Sequence, residues 1–110
     1  MIHDLVTIKK QFLETPDEYI KMIKERKISF RNIPKKIRTY EMSLEAVKIS
    51  PFNLRYVPEE FLTEELCIAA VEHDALAMIF VPPKIKTKKF FLEVVELNED
   101  CITYFSNEYI

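Results

Sequence analysis

Apolar and polar positions along the chain recur with a spacing of 24 residues. A shift by this spacing aligns four threonines without a gap, namely Thr15, Thr39, Thr63 and Thr87. Apolar residues follow each threonine in pairs three positions apart, namely Ile20/Ile23, Leu44/Val47, Ile68/Val71 and Leu92/Val95. Prolines close the first three copies, namely Pro34, Pro58 and Pro82, and the fourth copy has Ser106 there. These columns indicate a tandem repeat of four units, residues 15–38, 39–62, 63–86 and 87–110.

Each unit is predicted to contain two short helices. Apolar residues at i and i+3 are typical of a helix, and the threonine before them is suited to cap its first turn. In the first unit, Thr15-Pro16-Asp17-Glu18 adds a proline at the first helical position and the glutamate of a capping box. A second helix ends before each proline, because proline disfavours α geometry in the preceding residue. This helix carries the apolar pairs Phe30/Ile33, Leu54/Val57, Met78/Val81 and Ile102/Phe105.

The repeat predicts an all-α fold with a single domain over residues 1–110, a short α-solenoid of four helix–turn–helix units. No copy has the period-2 alternation of a half-buried strand. Residues 1–14 are predicted to form an extra N-terminal helix that caps the array. No cap is evident at the other end, so Ile102, Phe105 and Tyr109 would form an apolar patch open to a partner or to a second copy of the chain.

The stretch from Ala46 to Thr63 has the pattern Ala-Val-x6-Leu-x-Tyr-Val-Pro-Glu-Glu-Phe-x-Thr. It resembles a family of short tandem helical repeats of unknown function, with an Ala-Val…Ala-Leu-x-Tyr…Glu-Glu-Leu consensus, found in bacterial and giant-virus proteins. The resemblance implies an all-helical array over residues 15–110 and brings no catalytic residue with it. Asp100 and Ser106 depart from the pattern in the last unit.

Composition argues against an enzyme. The chain has no glycine, which excludes a glycine-rich phosphate loop, a dinucleotide fingerprint and a glycine-bracketed nucleophile elbow. Cys67 and Cys101, with His3 and His73, lack zinc-site spacing, and their equivalents in other units are unrelated residue types. We therefore predict a non-catalytic protein with no cofactor and no metal. The chain has neither a long apolar run nor a secretory signal, so we expect no membrane association and a cytoplasmic location.

The charges are distributed unevenly, although the net charge is only −2. Residues 1–38 carry ten basic and five acidic side chains (+5), and residues 39–110 carry six and thirteen (−7). The turns alternate in sign along the repeat: Lys35, Lys36 and Arg38; Glu59, Glu60, Glu64 and Glu65; then Lys84, Lys86, Lys88 and Lys89. The simpler interpretation is a ladder of ion pairs between neighbouring turns. The alternative is an anionic partner, because Lys88 and Lys89 lie where the helix dipole disfavours cations.

Aromatic residues fill one column of the last three units, namely Tyr56, Phe80 and Tyr104. They either pack beneath the neighbouring unit or form a row of anchors on a binding face, which Tyr40 and Phe52 would extend. With the basic turns, they complete the set of candidate binding residues: Lys35, Lys36, Arg38, Tyr56, Phe80, Lys84, Lys86, Lys88, Lys89, Tyr104 and Tyr109.

We expect a non-catalytic protein-binding module, a small inhibitor or adaptor of a larger macromolecular machine, encoded by a phage or mobile element and active against host defence. One alternative is a nucleic-acid-binding protein that uses the basic turns, which predicts steep salt dependence. Another is a self-assembling protein in which the basic half of one copy meets the acidic half of the next.

Overall fold

The structure is a computed structural model and describes residues 15–104. Within this range the chain forms four α-helices and no strand: α1 (Pro16–Lys24), α2 (Tyr40–Ile49), α3 (Glu64–His73) and α4 (Lys88–Leu97). A 3₁₀ helix follows each of them, namely Phe30–Asn32, Pro51–Tyr56, Ala75–Phe80 and Glu99–Tyr104. Two more 3₁₀ turns, Lys35–Ile37 and Glu59–Phe61, lead into α2 and α3. The predicted helix at residues 1–14, and also Phe105 and Tyr109, lie outside the described residues.

The four threonines cap the four α-helices, as the sequence predicted. The hydroxyl oxygens of Thr39, Thr63 and Thr87 each accept a hydrogen bond of 3.2 Å from the backbone N–H three residues later. The Thr15 hydroxyl accepts one of 3.3 Å from the backbone N–H of Glu18 and donates one of 3.0 Å to the Glu18 carboxylate. Each threonine therefore satisfies an N–H group that the first turn of its helix leaves unpaired.

The second helix of each unit is a 3₁₀ helix. In the last two units it begins with an Asx turn, in which Asp74 Oδ1 accepts from the Leu76 N–H at 3.0 Å and Asn98 Oδ1 accepts from the Asp100 N–H at 3.1 Å. In the first three units the residue before the proline is extended, as predicted, with ψ of 130° at Ile33, 132° at Val57 and 128° at Val81. The proline therefore stops this helix after one or two turns.

The C-terminal end of α1 differs from the C-terminal ends of the other three α-helices. Arg26 adopts a left-handed conformation with φ of 57°, a position usually taken by glycine. The Lys27 N–H donates to the Met22 carbonyl at 2.9 Å, and the Arg26 N–H donates to the Ile23 carbonyl at 3.0 Å. These two bonds form a Schellman motif, which arginine adopts in a chain that has no glycine.

The core runs through all four units. Each α-helix contacts the next one along the chain, and the 3₁₀ helices contact one another in the same order. The Cα positions extend 60 × 22 × 21 Å. Three sets of equivalent α-helix positions are buried in the core. The first, one position before each predicted apolar pair, comprises Tyr19, Ser43, Cys67 and Phe91. The other two comprise Met42, Leu66 and Phe90, and Ala46, Ala70 and Val94. None of the described helices is long and apolar enough to cross a membrane.

Two apolar positions of the last unit are exposed, unlike their equivalents in the third unit. Leu92 is 53 % exposed, contrary to the expected packing of the apolar pairs, whereas its equivalent Ile68 is half-buried. Ile102 is 63 % exposed, in agreement with the open apolar end predicted from the sequence, whereas its equivalent Met78 is buried. Residues 63–86 have a following unit that packs beside them, and in the described chain residues 87–104 have none. The small thiol of Cys101, next to Ile102, is the buried side chain instead.

Candidate functional site

The 3₁₀ helices present one continuous surface. In a 3₁₀ helix the side chains at i and i+3 eclipse each other, so Phe52 lies over Arg55 and Leu76 lies over Ile79. The two 3₁₀ helices that carry these pairs, Pro51–Tyr56 and Ala75–Phe80, contact each other. Phe52, Leu76 and Ile79 are 38 %, 53 % and 61 % exposed. We call the surface formed by Phe52, Arg55, Leu76 and Ile79 the 3₁₀ face.

The predicted aromatic column supports this face from beneath. The guanidinium carbon of Arg55 lies 5.3 Å from the Tyr56 ring centroid and 5.4 Å from the Phe80 ring centroid. Phe52 meets Phe80 edge to face, with the centroids 6.2 Å apart. Tyr56 and Phe80 are half-buried and pack against the core. They therefore anchor the face and hold the Arg55 cation in place at the surface.

The sequence analysis did not identify Arg55, Leu76 and Ile79 as site residues. Their signal was present in the repeat, because Arg55 and Ile79 are 24 positions apart and each follows a large apolar residue by three. That spacing identifies a surface only once the second helix is known to be 3₁₀.

A concavity of about 300 Å³ adjoins the 3₁₀ face at Leu76. The side chains around it come from the ends of α3 and α4 and from the last two 3₁₀ helices, and the lining comprises His73, Asp74, Ala75, Leu76, Asn98, Asp100, Thr103 and Tyr104. Tyr104, predicted as an anchor, lies here and is half-buried. The Asn98 amide donates hydrogen bonds of 3.1 Å to the Val71 carbonyl and 3.3 Å to the Glu72 carbonyl, which ties the last unit to the end of α3.

Arg38 belongs to the packing between the first two units. Its guanidinium donates three hydrogen bonds to backbone carbonyls, 2.8 Å to Ile33, 2.6 Å to Tyr56 and 3.1 Å to Arg31. The same group lies 5.3 Å from the Phe30 ring centroid. Partial burial lowers the pKa of Arg38, and the group stays charged because a guanidinium is deprotonated only at very high pH. Arg38, a candidate binding residue in the sequence analysis, thus joins the first two units through these hydrogen bonds.

The remaining basic turns lie in more than one place. Lys35 and Lys84 line a concavity of about 490 Å³ with Val57, Glu59, Leu62, Pro82 and Pro83. Lys88 and Lys89 line another, of about 450 Å³, with Leu92, Glu93 and Glu96. Lys36 is exposed, Lys86 is half-buried, and Tyr109 lies outside the described residues.

Within residues 15–104, the expected ladder of ion pairs is not formed by Lys35, Lys36, Lys84, Lys88 or Lys89. The ion pairs Lys27–Glu25 at 3.4 Å and Lys48–Glu45 at 3.8 Å each lie inside one unit. In that range no carboxylate approaches the ammonium groups of Lys35, Lys36, Lys84, Lys88 or Lys89 to within ion-pair distance.

Both cysteines are buried free thiols. Burial raises the pKa of Cys67 to about 12, and the nearby Glu64 carboxylate adds to this shift. Burial and Asp100 likewise raise the pKa of Cys101, whose sulfur lies 3.9 Å from the Val71 carbonyl. A thiol with a raised pKa has little of the thiolate that nucleophilic or metal chemistry requires.

Comparison with known proteins adds one finding. Residues 39–86 match the family described as Domain of unknown function (DUF4116). The matched segment comprises the second and third units, 48 of the 110 residues. The match agrees with the sequence analysis in that both indicate a family of unknown function. No curated protein and no solved structure matches the chain.

Proposed function

We propose that the chain is a non-catalytic protein-binding module, built as a short α-solenoid of four tandem units. The observation that carries the proposal is the 3₁₀ face, where three large apolar side chains stay 38 to 61 % exposed beside a fixed arginine. The sequential contacts between units support the solenoid, because stacked repeats touch mainly their neighbours.

The composition of the face suits a protein partner. Aromatic residues and arginine are enriched at the centres of protein interfaces and dominate binding free energy there. Arg55 rests on two rings before any partner arrives, so less side-chain entropy is lost when it binds. The half-buried Tyr56 and Phe80 support the face and contribute less contact area of their own.

The function we favour within this class is a small inhibitor or adaptor of a larger macromolecular machine. The chain would act in the cytoplasm as the product of a phage or mobile element directed against host defence. The sequential stacking of the helices supports a binding role, since stacked helical repeats present extended surfaces. The buried free thiols of Cys67 and Cys101 are consistent with a reducing compartment.

The experiment is affinity purification from the native host with a tagged chain, at low and at high salt. The double variant Leu76→Asp/Ile79→Asp is compared with the wild type and with Leu97→Asp, which alters a leucine that is 50 % exposed on α4. We expect one protein partner that survives high salt, is retained by Leu97→Asp and is lost from the double variant. Thermal unfolding of all three proteins checks that the variants remain folded.

Three outcomes would contradict the proposal. A partner that both the wild type and the double variant retain would move the binding site away from the 3₁₀ face. Nucleic acid that washes off as salt rises would favour the basic turns around Lys35 and Lys84. A mass that grows with concentration in light scattering, with no other protein present, would favour self-assembly, for which exposed Leu92 and Ile102 are the natural contacts.

A further inference from the structure

Charges of opposite sign lie at the two ends of the 3₁₀ face. From these we infer that the face binds a protein segment with an apolar centre, an acidic residue on one side and a basic residue on the other. This inference rests on the proposed function and adds to it the chemistry and the orientation of the partner.

The basic end is formed by Arg31 and Arg55, which occupy equivalent places in the first two units. Both side chains are exposed, and Arg55 is held over the Tyr56 and Phe80 rings. Within residues 15–104, no carboxylate lies at ion-pair distance from either guanidinium. A partner carboxylate can therefore form the fork-shaped, charge-assisted pair for which arginine is suited.

The acidic end is formed by Asp74 and Asp100, which line the concavity of about 300 Å³ beside Leu76. Tyr104 contributes to the same lining, so a basic side chain placed there meets two carboxylates and an aromatic residue. In the described part of the chain, no cation pairs with either carboxylate. These two charges also disfavour a polyanion along the whole face, since phosphates that reach Arg55 would next meet Asp100.

The geometry limits the length of the segment. Arg55 and Asp100 lie two units apart, and packed helices are about 8–10 Å from axis to axis, so the charged ends are about 20 Å apart. An extended chain covers about 3.3 Å per residue, which places about six residues between the acidic and the basic residue of the partner. The apolar residues between them contact Leu76 and Ile79.

The test is selection from a display library of random 16-residue peptides with four immobilised proteins. These are the wild type, Asp100→Arg, the face variant Leu76→Asp/Ile79→Asp, and Glu96→Arg as a matched charge control on α4. Wild-type selection is expected to enrich peptides with an acidic residue, an apolar centre and a basic residue in one fixed order. Asp100→Arg is expected to bind those peptides about tenfold more weakly and to lose the preference for the basic residue. Glu96→Arg should select as the wild type does, and the face variant should select nothing.

The inference and the proposed function fail in different ways. Peptides with an apolar centre but no charge order, or with equal affinity for Asp100→Arg, would overturn the inference and leave the 3₁₀ face as a protein-binding surface. A library with no peptide that distinguishes the wild type from the face variant would overturn both. Selected peptides with acidic residues on both sides would also overturn the inference, because the acidic end would then repel one of them.

Discussion

Replacing Arg38 by methionine should destabilise the protein. The substitution keeps much of the aliphatic stem and removes all three hydrogen bonds from the guanidinium to the carbonyls of Ile33, Tyr56 and Arg31. Because Tyr56 lies 18 residues further along the chain, the 2.6 Å bond to its carbonyl joins the first unit to the second. The same carbonyl belongs to the residue whose ring supports Arg55, so the loss also loosens the 3₁₀ face.

The magnitude follows from the surroundings of the three bonds. A hydrogen bond from a charged donor contributes about 1.5–3 kcal/mol, and a carbonyl left unsatisfied adds a desolvation penalty only where it is buried. The bonds to Ile33 and Tyr56 are partly buried, and the bond to Arg31 is exposed, so water replaces the last one at little cost. Partial exposure of the guanidinium reduces the other two, and we expect a loss of about 2–4 kcal/mol in the free energy of unfolding.

Urea denaturation followed by circular dichroism measures this loss. Lys36→Met is the matched control, because it removes a positive charge from an exposed residue in the same turn and should change the unfolding free energy by less than about 0.5 kcal/mol. Arg38→Lys keeps the positive charge but not the planar guanidinium with its several donors. Its free energy of unfolding should exceed that of Arg38→Met by about 1 kcal/mol. An Arg38→Met protein as stable as the Lys36→Met protein, or full rescue by lysine, would refute the assignment of Arg38 to inter-unit packing.

Three further predictions concern stability. Thr63→Ala should lower the free energy of unfolding by about 1 kcal/mol, measured in urea, because it leaves a helix N–H group without its cap. Cys67→Ser should fold, because Ser43 occupies the equivalent place and donates to the Thr39 carbonyl at 2.8 Å. Because burial raises the pKa of the Cys67 thiol from 9.0 to about 12, its contribution to the free energy of unfolding is fully present below pH 9.0 and is lost as pH rises toward about 12. The free energy of unfolding should therefore fall less steeply with alkaline pH in the serine variant than in the wild type. Arg26→Gly should raise the thermal midpoint by a few degrees, equivalent to about 0.5–1 kcal/mol, because glycine adopts the positive φ of 57° without strain.

The helices and their starting points could be predicted because they depend on neighbouring residues. A threonine hydroxyl reaches the N–H three residues later whatever the rest of the chain does, and a proline constrains the residue before it in the same way. The order of apolar positions also indicated that the structure is helical. The type of the second helix could not be predicted in this way. Over one or two turns, apolar residues at i and i+3 fit both 3.6 and 3.0 residues per turn.

That difference in pitch decided the candidate site. In an α-helix, Arg55 would lie about 60° around the axis from Phe52, and in a 3₁₀ helix the two side chains are eclipsed. Local contacts support this geometry: the Asx turn of Asp74 begins the helix that carries Leu76 and Ile79, and Pro58 and Pro82 follow the two helices of the 3₁₀ face. The aromatic column was identified from the sequence, but its role as a support became visible only with the rings packed against the core.

By itself, the sequence determined the period, the four helix caps, the helix stops before the prolines and the all-helical class, because each depends on contacts within a few residues. The tertiary structure decided which side of each helix is covered, and so which apolar residues remain at the surface. It also decided the roles of individual cations: Arg38 is engaged with backbone carbonyls, and Arg55 is held on two rings. A charged side chain in a sequence has many possible partners, and only packing brings one of them within hydrogen-bonding distance.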